Sequence, residues 1–241
     1  MSFHTTRWSL VLASSSSSAE AERALGDLCL LYWQPVYAFF RRHGSNPDEA
    51  EDLTQGLFLH LLASGDMQKA DPARGRFRTY LKSCARNFAA SKARAALAQK
   101  RGGDVQRISI DRRTIEGDLV VELADLETPE QTFERHFARA LVKQVLDRMA
   151  EDAKERGKDK VFMALRCYLE AGEAPAFADK AAVLSMSEGA VRVSVHRMRD
   201  RFRELLLAEV RHTLADPADA ACEIDQLLVA LAGPKKTQEG L

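Results

Sequence analysis

Arginine and histidine side chains recur along one side of the segment 177–206, which reads FADKAAVLSMSEGAVRVSVHRMRDRFRELL. Residues spaced by three or four positions share one face of a helix. Four cationic side chains satisfy this spacing, and we expect them to stay free for a partner: Arg192, His196, Arg199 and Arg203. Guanidinium groups pair with guanine edges and with phosphate oxygens. This face therefore favours recognition of DNA.

The rest of the segment predicts the elements that position these cations. An apolar stripe marks the buried side of the same helix: Val191, Val195, Met198, Phe202 and Leu205. Ser187 can cap that helix after a turn at Ser185 and Met186. Ahead of the turn, a shorter helix carries Ala181, Ala182 and Leu184, which we expect to permit close helix crossing. Such a pair of helices places one helix in a major groove, although basic amphipathic helices are also common as solvated surfaces.

Charge is strongly segregated although the net charge is zero. Residues 74–113 hold twelve Lys and Arg against two acids, whereas residues 114–134 hold seven acids and no Lys or Arg. Residues 45–66 hold five acids and again no Lys or Arg. Blocks of one sign indicate separate surfaces for separate partners, and the basic ones attract phosphates.

The acidic block at 45–66 predicts an amphipathic helix. Asn46 or Ser45 can cap it, and Pro47 suits its first turn. We expect an inward apolar side made of Ala50, Leu53, Leu57, Phe58 and Leu61. We expect an outward polar side made of Glu51, Asp52 and Gln55.

The basic block at 71–103 predicts a second amphipathic helix. Phe77, Leu81 and Ala85 are expected to pack inward, with Tyr80 and Phe88 nearby. The cations expected to remain accessible are Arg86, Lys92, Arg94, Lys100 and Arg101. Aromatic rings among cations suit single-stranded nucleic acid, in which bases stack and phosphates pair with charge. Alternatively, the rings are core residues, which we favour for Phe77.

The 241 residues predict an all-α chain with two small helical domains. We place the first domain at 1–103, an acidic linker at 104–134 and the second domain at 135–211. The linker includes a short extended stretch near 108–110. A C-terminal extension at 212–241 contains a short helix, which we expect to pack on the second domain or to cover a partner site.

Several classes of function are disfavoured by the sequence. No apolar run approaches the roughly 20 residues that span a membrane, and no secretory signal is visible. The four cysteines are scattered, as in a reducing cytoplasm, and they form no metal-binding knuckle. We therefore expect a cytoplasmic protein without membrane, metal or cofactor.

Two separated blocks resemble one family. The sequence DEAEDLTQGLFLHLL followed by GRFRTYLKSCARNFAASKAR resembles region 2 of bacterial sigma-70 factors. The sequence AAVLSMSEGAVRVSVHRMRDRFRELL resembles their region 4, a helix-turn-helix. The two-domain layout is similar to that of the extracytoplasmic-function (ECF) group. The resemblance implies a non-enzymatic promoter-specificity subunit that is monomeric when free.

The resemblance also implies partners and residue roles. Core RNA polymerase would be bound through its β′ clamp helices and β flap, with Glu51, Asp52 and Gln55 at the clamp contact. Promoter DNA would be bound at two elements, and an anti-sigma factor is a further candidate partner. The minus-ten element would be read and opened by Arg86, Asn87, Ser91, Lys92 and Arg94. The upstream minus-thirty-five element would meet Glu188, Arg192, Val193, His196, Arg197 and Arg199.

The sequence departs from the family pattern at three positions. Gly56 stands where an acid is common, Ser185 stands where the turn commonly has glycine, and Val193 stands where a polar reader is common. Two other functions stay open. A self-sufficient helix-turn-helix regulator would leave the acidic helix at 45–66 and the basic block at 71–103 without a role. A nuclease would need a metal-binding carboxylate cluster, whereas these acids lie on one amphipathic helix.

Overall fold

The computed structural model describes residues 19–64, 76–98, 127–170, 173–214 and 216–233. These residues are helical and contain no strand, which confirms the all-α prediction. The α-helices in chain order are α1 Ala19–Arg42, α2 Pro47–Ala63, α3 Phe77–Ala98, α4 Pro129–Glu155, α5 Asp159–Leu165, α6 Phe177–Leu184, α7 Glu188–His212 and α8 Ala220–Ala232. Short 3-10 helices occupy Arg166–Tyr168 and Pro217–Asp219.

The chain divides into two compact units, which differ from the domains expected from the sequence. The first unit comprises residues 1–140 together with 210–241, and the second comprises 141–209. Residues 129–134, at the end of the expected linker, belong instead to helix α4. Thr128 and Gln131 cap this helix through reciprocal hydrogen bonds of 2.9 and 3.2 Å. The rest of the expected linker, with the stretch near 108–110, lies outside the described residues.

The first unit is built around aromatic rings. The ring of Tyr32 on α1 lies 5.1 Å from that of Phe77 and 5.1 Å from that of Phe137, in edge and stacked contacts respectively. Phe77 is buried, which confirms its expected core role. Such pairs add about 0.5–1.5 kcal/mol beyond their buried area. Burial also raises the pKa of the Tyr32 phenol.

The C-terminal helix α8 packs within the first unit, so the expectation that it would pack on the second domain is wrong. Its Glu223 is fully buried and pairs with the buried Arg78 and, at 2.9 Å, with Arg76. Arg78 also contacts Glu134 at 2.7 Å. Burial alone would lower the pKa of Arg78, but these two carboxylates raise it above its ordinary value. Glu223 thus joins α8 to α3 through a buried ion pair.

The second unit has an apolar core between α5, α6 and α7. Its buried members are Leu165, Tyr168, Ala181, Val191 and Val195. The predicted stripe on α7 is therefore largely confirmed, whereas Ala182 is exposed.

The turn between α6 and α7 forms where the sequence predicts it. Ser185 adopts a left-handed conformation with φ 53° and ends α6, and the Met186 amide donates to the Ala181 carbonyl at 3.0 Å. A non-glycine residue in this region costs of order 1 kcal/mol, which explains why glycine is common at this turn position. The Ser187 hydroxyl accepts the Ala190 amide at 3.2 Å, as a cap for α7.

Candidate functional site

The acidic helix α2 presents Asp52 to solvent and Gln55 at its edge. Asn46 caps the helix: its side-chain oxygen accepts the backbone N–H of Glu49 at 3.0 Å, and the Glu49 carboxylate accepts the backbone N–H of Asn46 at 3.1 Å. The expectation that Glu51 faces outward is wrong, because its side chain lies in the buried half of the helix and the residue is 8% exposed. Its carboxylate accepts a bond of 3.4 Å from Gln55. The candidate polymerase contact is therefore reduced to Asp52 and Gln55.

The inward side of α2 is broader than its apolar residues suggest. Ala50, Leu57, Phe58 and Leu61 are buried as expected, but Leu53 is only half-buried. Thr54 is fully buried and its hydroxyl donates to the Ala50 carbonyl at 2.6 Å. Thr54 can be buried because its hydroxyl finds an acceptor within its own helix. The sequence alone does not indicate this burial, because threonine is a polar residue.

The structure gives a physical reason for Gly56. A Cβ at this position would lie 3.1 Å from Cζ of Phe88, so the missing side chain allows α3 to pack closely on α2. The ring of Phe88 also lies 5.9 Å from that of His60, and the Lys92 ammonium lies 5.4 Å from its centroid. Lys92 is therefore held on the side of α3 that meets α2.

A separate stripe of α3 faces solvent and carries Asn87, Ser91 and Arg94. Their spacing of four and three residues places them on one face, away from the buried Leu81 and Ala85. The side chains of Asn87 and Ser91 have no hydrogen-bond partner within the described ranges, and all three residues are exposed. The Arg94 guanidinium donates to the Ala90 carbonyl at 3.2 Å. This stripe presents uncommitted amide and hydroxyl groups to solvent.

Arg86 lies beside this stripe but already has an ion-pair partner. Its guanidinium contacts the Glu130 carboxylate at 2.5 Å, with both side chains partly exposed. The hydrogen bond from Arg86 lowers the pKa of Glu130. Any phosphate that binds Arg86 must therefore compete with this carboxylate.

On α7, Arg192 is held from two directions. Its guanidinium contacts the Glu188 carboxylate at 2.6 and 3.2 Å, and its central carbon lies 4.5 Å above the ring of Phe177. Arg192 and Glu188 were both expected at the DNA surface and are both exposed. The structure adds that they form one unit rather than two independent contacts.

Further along α7, the outward face carries Val193, His196 and Arg197. Val193 is half exposed. The Nδ1 atom of His196 lies 2.7 Å from the Asp200 carboxylate, which Arg203 also contacts at 3.1 Å. Arg197 is exposed and has no ion-pair partner among the residues that the structure describes. Of this helix's expected DNA contacts, Arg197 has its charge least committed.

Arg199 departs from its expected role as a free cation. Its guanidinium donates two hydrogen bonds, of 3.2 and 3.3 Å, to the Tyr168 carbonyl at the end of the 3-10 helix. Those bonds satisfy a helix-end carbonyl that lacks a partner within its own helix. Arg199 therefore joins α7 to the element before α6. The expected cations Lys100 and Arg101 lie outside the described residues.

The parts of the chain that the structure describes contain no group of three His, Cys, Asp or Glu side chains arranged to hold a metal ion. None of the described helices has both the length and the apolar character that a membrane crossing requires.

The part of the chain that contains α2 and α3 matches a known protein family. The family model of sigma-70 region 2 matches residues 30–98. The match supports the interpretation that the chain is a sigma-70 family member. The matched residues include α2, which carries Asp52, and α3, which carries Asn87. It covers under a third of the 241 residues and does not reach α6 and α7. No curated protein and no solved structure matches the chain.

Proposed function

We propose that this chain is a sigma factor of the ECF type, which joins core RNA polymerase, recognises promoter DNA and helps to open it. The observation that carries the proposal is the match of residues 30–98 to sigma-70 region 2. Region 2 indicates a role in polymerase binding and promoter recognition without catalysis, so the groups that matter are surfaces rather than reacting atoms.

The polymerase contact in this proposal is the outward side of α2. Asp52 is exposed and has no ion-pair partner within the described residues, so its charge is available to a cationic partner. The capping box at Asn46 and Glu49 fixes the start of the helix. An interface charge of this kind mainly governs the association rate and its salt dependence. The β′ clamp helices are the proposed partner surface, and the β flap is the proposed partner of the second unit.

The minus-ten contact is the exposed stripe of α3. Asn87 and Ser91 can form hydrogen bonds to the edge of an unstacked base, while Arg94 and Lys92 lie near enough in sequence to meet its phosphates. Binding that favours the open strand shifts the duplex toward melting without a catalytic step. Capture of a base repays part of the few kcal/mol that leaving the stack costs.

The upstream contact is the outward face of α7, which would act as the second helix of a helix-turn-helix. The support is local: a short helix, a left-handed Ser185, a serine cap and a long helix with exposed cations. Arg192 and Arg197 can reach base edges, and Val193 can contact a thymine methyl group. His196 lies between Val193 and Arg197 in the sequence of the same helix. Arg199 would act indirectly, through the Tyr168 carbonyl.

Binding to core polymerase provides the test. The full chain and its Asp52→Lys variant are mixed with bacterial core RNA polymerase and resolved by gel filtration. We expect co-elution of the unaltered chain and a roughly tenfold loss of affinity for Asp52→Lys at low salt. Asp225→Lys, an exposed acid on α8, serves as the matched control and should co-elute normally.

Two outcomes of this test contradict the proposal. No association of the unaltered chain would favour the alternative, a self-sufficient helix-turn-helix regulator. Equal losses for Asp52→Lys and Asp225→Lys would remove α2 as the specific contact. Within this proposal the protein is cytoplasmic, and an anti-sigma factor would compete for the same surfaces.

A further inference from the structure

Two stacked aromatic rings support Arg192 from below, so that the three side chains form one stack. The guanidinium carbon lies 4.5 Å from the Phe177 centroid, and the Phe177 ring lies 5.0 Å from the Tyr168 ring with only 7° between their planes. The Tyr168 hydroxyl donates to the Pro175 carbonyl at 2.9 Å, just before α6. The stack is thus fixed to the backbone at one end and carries an exposed cation at the other.

The carboxylate of Glu188 restricts the same guanidinium sideways. One of its oxygens accepts bonds from Nε and from one terminal nitrogen of Arg192, at 3.2 and 2.6 Å. The other terminal nitrogen of Arg192 has no hydrogen-bond partner among the described residues. An arginine held by a ring beneath it and a carboxylate beside it retains few of its rotamers. Arg197, five residues further along α7, has no such support among the described residues.

We propose that Phe177 is a positioning residue for Arg192, which sets the guanidinium plane for reading a base pair of duplex DNA. This inference rests on the proposed function, because it needs α7 to meet the upstream promoter element. A planar guanidinium reads guanine through two parallel hydrogen bonds, so the orientation of its plane affects discrimination. The stack provides that orientation before DNA arrives, and the entropy of ordering Arg192 is not lost on binding.

Phe177 also has a structural role, from which positioning must be separated. It is half-buried and packs against the apolar cluster of the second unit. An aliphatic replacement retains that packing but removes the π face, whereas tyrosine retains both. An exposed cation–π contact corresponds to about a two- to fivefold effect. The expected effect is therefore a change in sequence discrimination, with folding retained.

The experiment uses the full chain bound to core RNA polymerase. A duplex library randomised over the upstream element is first used to select the preferred sequence. Binding is then measured to that sequence and to each single-base-pair variant, for Phe177→Leu, Phe177→Tyr, Arg192→Ala and the Phe177→Leu/Arg192→Ala double variant. A thermal melt monitored by circular dichroism confirms folding, and Phe177→Met provides a second aliphatic replacement if the leucine variant unfolds.

We expect Phe177→Leu to reduce discrimination about two- to fivefold at the base pairs that Arg192→Ala affects, and at no others. Phe177→Tyr should retain the discrimination of the unaltered chain. The double variant should show the same discrimination as Arg192→Ala alone. Equal weakening on every fragment, or a further loss in the Arg192→Ala background, would show a purely structural role and overturn the assignment. Selection of no upstream element by the unaltered complex would instead contradict the proposed function itself.

Discussion

Two of the ion pairs in the first unit lie in its interior, whereas several ion pairs of the second unit lie on the exposed face of α7 that is expected to meet DNA. Arg78 and Glu223 are buried together, as are Arg135 and Glu127, which lie 2.6 Å apart. On the exposed stripe of α3, by contrast, Asn87 has no partner among the described residues. In the second unit the core around Val191 is apolar, and the outward side of α7 carries paired charges.

This difference suggests two modes of recognition. Polar groups without partners can adapt to a flexible ligand such as an unstacked base. Cations already held by carboxylates and rings are preorganised for a rigid ligand such as a duplex groove. The two units therefore match the two tasks that the proposed function assigns to them, opening and gripping.

The largest expected effect comes from the buried pair that joins α8 to the first unit. Glu223→Ala leaves Arg78 and Arg76 short of a carboxylate, so we expect a loss of about 3 kcal/mol in the free energy of unfolding. Urea denaturation measures it. The matched surface variant in the second unit, Asp152→Ala, removes a carboxylate 3.3 Å from Arg201 and should cost under about 1 kcal/mol. Equal losses would abolish the contrast between buried and surface pairs.

The next effect concerns the least committed cation of α7. Arg197→Ala should reduce discrimination at the upstream element by about 1–3 kcal/mol, since a paired contact to a base edge is lost. Competition binding of the polymerase complex to single-base-pair variants measures it. Arg201→Ala is the control on the same helix, because Arg201 contacts Asp152 and Glu204. A loss that persists on fragments lacking the upstream element would contradict specific readout.

A smaller effect is expected on α3. Asn87→Ala should slow promoter opening by about tenfold while leaving closed-complex binding nearly unchanged, because its amide meets a base only after unstacking. A fluorescent base analogue in the promoter reports opening, and filter binding at low temperature reports the closed complex. Ser83→Ala is the control, since the Ser83 hydroxyl bonds the Thr79 carbonyl within the helix. Parallel losses in both assays would assign Asn87 to duplex binding instead.

The smallest effect concerns the ion pair beside that stripe. Glu130→Gln frees Arg86, so the affinity for single-stranded promoter DNA should rise and the salt slope should steepen by up to about 0.7. The pKa of Glu130 is lower in the folded chain than its unfolded value of 4.5, so the ionised carboxylate stabilises the fold at pH values above 4.5. This stabilisation is lost as the pH falls through the folded pKa. Glu130→Gln should remove that acid dependence. An unchanged salt slope would mean that Arg86 meets no phosphate.

Features decided by neighbours in sequence were predictable. Asn46, Pro47 and Glu49 form the expected helix start because capping needs only three or four consecutive residues. Ser187 caps α7 for the same reason. The apolar stripe of α7 likewise follows from its spacing alone.

Features decided by distant partners were not predictable. Glu223 and Arg78 are 145 positions apart, so nothing near α8 indicates the unit to which it belongs. Glu51 reads as one more acid of an acidic helix, yet its position in the helical turn places it beside the buried Ala50 and Thr54. Arg199 matches the other cations of α7 and differs only because the Tyr168 carbonyl lies within its reach.

Mapping of transcription start sites tests most directly whether the chain is a sigma factor. Core RNA polymerase transcribes a library of bacterial promoter fragments, alone and with the full chain or its Asp52→Lys variant. We expect the unaltered chain to produce new, discrete start sites that share two upstream sequence elements, and Asp52→Lys to lose most of them. If the start sites are the same with and without the chain, the proposed sigma-factor function is contradicted.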